Sequence, residues 1–117
     1  MKDQFPAKML RIHFGEDDKW QGKPLYEAIV AKCREIGMAG AIVYRGIEGY
    51  GSSTRIHRAG HWTFSKDAPI MLSVIDTREQ IEKLVPHLDE MVQEGLIAMS
   101  DVEVIRYTRR EGVQPQA

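Results

Sequence analysis

Apolar and polar positions alternate from Met9 to Phe14: Leu10, Ile12 and Phe14 fall on one side, Met9, Arg11 and His13 on the other, which is the period of a half-buried strand. The stretch from Gly15 to Lys23 is polar and bounded by glycines, and Pro24 stands where a first helical residue has no use for a backbone N–H. Leu25, Ile29, Cys33 and Ile36 then recur at helical spacing, Glu27, Lys32, Arg34 and Glu35 can face water, and Gly37 is placed to end the helix. Ala41 to Ile47 reads as a second strand and Ile70 to Ile75 as a third, apolar enough to be central. Thr77 precedes Gln80 at capping-box spacing, and Ile81, Leu84, Val85, Leu88, Met91 and Val92 carry a second helix as far as Gly95, with Pro86 expected to kink or split it. Val102 to Tyr107 is a fourth strand.

This order, β-α-β-β-α-β, is that of an α+β ferredoxin-like sandwich, in which two helices cover one face of a four-stranded antiparallel sheet. The other face then carries Ile42, Tyr44, Met71, Ile75, Ile105 and Tyr107, a set too apolar to be left to water. Packing of sheet against sheet between copies of the chain is the expected remedy. Composition adds bounds: 117 residues suit a single domain, with a core over about residues 9–107 and a polar tail over 108–117. A formal net charge of -1 gives no global electrostatic reason to bind nucleic acid, so any anion site must be local. The amino end, MKDQFPAK, lacks the apolar run of a signal peptide, no window approaches a membrane span, and the single cysteine suits a reducing compartment; a cytoplasmic location is expected.

Candidate chemistry gathers in one place. A hairpin of about two to five residues would join the second and third strands of a plain domain, yet about twenty intervene here. That segment holds Arg55, Arg58 and Lys66, His57 and His61, and, with its entry, glycines at 46, 49 and 51. Glycines that permit positive φ let successive N–H groups converge on a phosphate or carboxylate, although glycines after a strand also serve turns and bulges. The pattern is neither a Walker loop nor a dinucleotide-binding fingerprint. His57 and His61, four apart, could share one side of a helical turn as in some zinc sites, but no Glu lies between them and Asp67 is the nearest carboxylate. Elsewhere, Cys33 reads as a core residue, His13 and His87 as surface residues, and Glu16, Asp17 and Asp18 as a solvated turn. No nucleophile, base and orienting acid fall into a catalytic arrangement, so a non-catalytic protein is expected.

The run KPLYEAIVAKCREIGMAGAIVYRGIEGYGSS resembles the first helix, second strand and loop entry of PII signal-transduction proteins, with Gly49, Tyr50 and Gly51 at the place of a Gly-Phe-Gly. It is more similar still to the PII-like family known as domain of unknown function 190, through Gly22 to Leu25, Tyr44 to Ile47, His57, and Ala68 to Ile70. The resemblance implies a homotrimer with small-molecule sites in the clefts between subunits and a long loop that responds to ligand and engages a partner, such as a membrane transporter or an enzyme. An anionic ligand is implied, an adenine nucleotide being the PII precedent, with Arg45, Gly49, Gly51, Ser52, Arg55, His57, Arg58 and Arg106 as its candidate contacts. Ser52 and Ser53 replace the Arg-Gln of the PII loop, Glu94 to Asp101 lacks the lysines and repeated glycines of its phosphate-binding B-loop, and Arg106, Arg109 and Arg110 lie near the place of its terminal arginines. The alternative is a metal-binding trimer resembling the copper-tolerance proteins of related fold, resting on His57 and His61.

Overall fold

The computed structural model describes residues 1–49 and 68–109. In chain order these form β1 (Lys2–Gly15), β2 (Lys19–Trp20), β3 (Lys23–Pro24), α1 (Leu25–Glu35), β4 (Ile42–Arg45), β5 (Pro69–Asp76), α2 (Arg78–Met91) and β6 (Leu96–Tyr107). The main sheet runs β4-β5-β1-β6 with every neighbour antiparallel, the ferredoxin-like arrangement expected from the pattern.

Alternation along β1 decides which side is core. Leu10 lies opposite Val74, Ile12 opposite Leu72 and Phe14 opposite Ile70, and all six side chains are buried. They meet Leu25, Ile29 and Cys33 of α1 and Ile81, Leu84, Leu88 and Met91 of α2 in one cluster. Full burial of such aliphatic side chains contributes about 1.5–3 kcal/mol apiece and is what holds both helices to the sheet. One polar side chain ties the helices together: Gln80 donates from Nε2 to the carbonyls of Ile36 (3.3 Å) and Gly37 (3.1 Å) at the end of α1. The capping box is therefore half formed. Thr77 Oγ1 accepts from the Gln80 amide at 3.3 Å, but the Thr77 amide is taken by Asp76 Oδ1 at 2.7 Å, which leaves Gln80 for its neighbour helix.

Several expectations are corrected. β1 and β6 are each longer than the alternation suggests: β1 begins at Lys2, and Lys2 to Ala7 pairs with Val102 to Tyr107 beyond the point where β5 ends, making a two-stranded arm, while β6 begins at Leu96, its first half pairing with Lys8 to His13. Pro6 masked the strand signal, and it is tolerated because its other edge has no strand beside it. Gly15 to Pro24 contains a second hairpin whose turn residues, Gln21 (φ 49) and Gly22 (φ 81), are both left-handed, as a two-residue turn of this kind requires. Pro24 is the N-cap of α1 and not its first residue. Pro86 does not split α2; it and Glu82, whose carbonyl loses its partner, are both exposed, so water can replace the missing bond. α2 ends at Met91, and Gly95 instead stands immediately before β6.

The uncovered face is apolar as expected, though not with the expected membership. Tyr44, Met71, His13 and Leu96 lie in one row across all four strands, next to a row of Ile42, Ser73, Arg11 and Ala98. Ile42, Tyr44, Ile75 and Leu96 are exposed there. Ile105 and Tyr107 are exposed too, but they pair with Gln4 and Lys2 and so share the Leu10 side, out on the arm past the helices. His13 and His87 are both half-buried and not plain surface residues.

Candidate functional site

The two ends of the long β4–β5 connection are fastened side by side. Arg45, the last residue of β4, pairs with Ile70, and the Gly46 amide donates to the Pro69 carbonyl at 2.7 Å. A third segment joins them from the end of β1: the Glu16 amide donates to the Ala68 carbonyl at 2.9 Å, and Glu16 Oε1 accepts from Arg45 Nε at 3.1 Å. The foot of the connection is thus a knot of β1, β4 and β5 that holds a guanidinium at its mouth. Gly46 is required by contact, because a Cβ there would stand 2.6 Å from Pro69 Cγ. Neither Gly46 nor Gly49 has a left-handed backbone, so the expectation that these two supply positive φ does not hold, and at Gly49 a Cβ would meet nothing within 4 Å. Gly51, Ser52, Arg55, His57, Arg58, His61 and Lys66 lie outside the described residues.

Arg106 belongs to a different region. It lies opposite Asp3 on the arm, donates to Asp3 Oδ2 at 3.0 Å and sits over the Phe5 ring, 5.3 Å from its centroid. It borders an open cleft of about 670 Å³ that Lys8, Arg78, Asp101 and Thr77 also line. Within that cleft Lys8 pairs directly with Asp101, and the hydrogen bond and charge of Lys8 hold the Asp101 carboxyl below its ordinary value. Along β1, the partner of Ile70 is Phe14 and the partner of Arg106 is Asp3, so Arg45 and Arg106 stand roughly 35 Å apart at about 3.3 Å per residue. No small ligand can touch both within one chain.

The remaining candidates find plain roles. Asp18 belongs to the turn after β1: its side chain accepts from the Gly15 amide at 3.3 Å and its carbonyl from the Leu25 amide at 2.8 Å. Cys33 is buried, and desolvation pushes its thiol up to about 11, the opposite of an activated nucleophile. Among the described residues no group of three or more His, Cys, Asp or Glu side chains is placed to hold a metal ion. No described helix is long and apolar enough to cross a membrane. Glu16 and Asp3 escaped sequence reasoning as partners of the two arginines, because pairing across distant strands leaves no local signal.

A family model, DUF190, described as Uncharacterized ACR, matches residues 7–104. A UPF0166 protein of Aquifex aeolicus (strain VF5) is 35% identical over 98 residues, covering 84% of this chain and 92% of its own. Among solved structures, the apo form of CPII, a nitrogen regulatory PII-like protein from Thiomonas intermedia K12, matches with a TM-score of 0.61 at 17% identity, over 92% of this chain and 100% of that one. CPII bound to ADP, AMP and bicarbonate gives 0.62 at 19% identity, over 91% and 100%. At this identity the likeness shows a common PII-like fold.

Proposed function

The chain belongs to the DUF190 family and has a PII-like fold, and from that premise we propose that it is a non-catalytic sensor that binds an adenine nucleotide or similar anion. In this reading it is a cytoplasmic homotrimer whose clefts between subunits take the ligand. The connection between β4 and β5 reports occupancy to a partner protein, a membrane transporter or an enzyme. Arg45 and Gly49 would meet the ligand at the foot of that connection, with Gly51, Ser52, Arg55, His57 and Arg58 along it.

One observation carries the reading: about twenty residues, glycine-rich and holding Arg55 and Arg58, leave and re-enter the sheet at adjacent points fastened by the Gly46–Pro69 bond, with Arg45 at the mouth. A hairpin of two to five residues would have closed the same strands, so the length serves something besides closure. A further fact supports the assembly: the uncovered sheet face exposes Ile42, Tyr44, Ile75 and Leu96. In this reading Arg106 meets the ligand from a second copy, since within one chain it stands too far from Arg45 to share it. The CPII structure with ADP, AMP and bicarbonate supplies the ligand class.

Thermal unfolding with ADP, AMP and bicarbonate tests the proposal. A ligand held only by the folded state at about a hundred times its Kd adds about 2.7 kcal/mol and raises the melting temperature. ADP or AMP is expected to do so, and light scattering is expected to give three times the chain mass. No shift with either nucleotide, or a stable monomer at micromolar concentration, contradicts it.

A further inference from the structure

We propose that Glu16 is a built-in competitor for the anion site: its carboxylate occupies the Arg45 guanidinium when no ligand is present and so sets how tightly an anion is held. This inference rests on the functional reading above, since it concerns the same mouth. The geometry is specific. Glu16 follows directly on β1, and its amide is fixed to the Ala68 carbonyl on the returning side of the connection, while its Oε1 reaches the departing side at Arg45 Nε, 3.1 Å away. The Arg45 side chain is about half exposed and that of Glu16 about a quarter, at 47% and 28%. A half-exposed pair of this kind is weak, so an incoming anion of higher charge can displace it; yet the displaced carboxylate stays anchored through its backbone beside the site. Glu16 therefore opposes binding by holding the guanidinium that the anion needs. A purely structural role makes the opposite prediction: if Glu16 served to hold Arg45 in a binding posture, removing its charge would weaken the complex.

The sign of the change in affinity decides the matter. Calorimetric titration of the full chain with ADP is expected to show binding roughly two- to fivefold tighter in Glu16→Gln than in the wild type, the fold-change equivalent of a surface pair. The gain should shrink with added salt. Glu82→Gln, which removes one charge from the exposed side of α2, controls for net charge and should leave affinity unchanged. In an Arg45→Ala background the Glu16→Gln gain should vanish, because the carboxylate then has no guanidinium to compete for. Unchanged or weaker ADP binding in Glu16→Gln, beside a wild type that binds, overturns this inference and leaves the functional reading standing. A gain that persists without Arg45, or that Glu82→Gln reproduces, also overturns it. Silence from the wild type and every variant removes the functional reading and this inference together.

Discussion

Gly95 has no room for a side chain. Its φ of +152 is one that side chains rarely adopt, and a Cβ would lie 2.2 Å from the His13 carbonyl oxygen, so strain and collision act together. Gly22 separates the two effects, having φ +81 but nothing within 4 Å of a Cβ. Gly95→Ala should therefore cost at least about 2 kcal/mol in denaturant unfolding, and Gly22→Ala only about 1 kcal/mol. Equal costs would mean that the contact with His13 relaxes freely. The sequence shows that a glycine follows the second helix but not why, since the contact is with a strand more than eighty positions earlier. The same holds at Gly46, where Pro69 and not a positive φ excludes a side chain. A glycine's purpose is legible when it lies in a local turn, as at Gly37 (φ +82) ending α1, and illegible when it makes room for a distant segment.

At the scale of elements, periodicity worked wherever one face is buried along the whole element. The stripe of Leu25, Ile29 and Cys33 and the alternation of Leu10, Ile12 and Phe14 became core as read. It failed for Lys2 to Ala7, which pairs with the expected strand Val102 to Tyr107 out on the arm where neither face is fully covered, so hydrophobic alternation has little to follow. Cross-strand pairs do that work instead. Lys8 faces Asp101 and Asp3 faces Arg106, opposite charges directly across the ladder. Because Lys8 lowers the Asp101 pKa below 3.8, the pair stabilises the fold above that pH and its contribution disappears as pH falls through the lowered value. Asp101→Asn should accordingly melt slightly below the wild type near pH 7, by a few degrees at most since Asp101 is exposed, and the two should converge in acid. A gap that widens as pH falls would contradict the pairing.

For the whole molecule, the pattern of strands and helices and the resemblance to PII proteins were enough to give the fold, and the family comparison agrees. The site was only half legible. Arg45 and Arg106 could be named as candidate anion contacts, but nothing in a linear sequence says that β1 carries their positions to opposite ends of a sheet. The separation changes the meaning of the list, because both arginines can act on one ligand only if a second copy brings its arm to the first copy's β4–β5 mouth. The exposed face of Ile42, Tyr44, Ile75 and Leu96 is where such copies would meet.

A site divided between copies can be rebuilt from two broken ones, and that measurement bears on the central claim most directly. Arg45→Ala and Arg106→Ala chains would each be titrated with ADP by calorimetry, alone and after unfolding and refolding as an equal mixture. Each variant alone should bind at least tenfold more weakly than the wild type, the loss of a charge-assisted hydrogen bond of about 1.5–3 kcal/mol. The mixture should recover wild-type affinity at about a quarter of its sites, the random-mixing expectation when each site takes one arginine from each of two neighbouring copies. Wild-type affinity in both variants alone, or a mixture no better than its components, would contradict a nucleotide site shared between subunits at the foot of the β4–β5 connection.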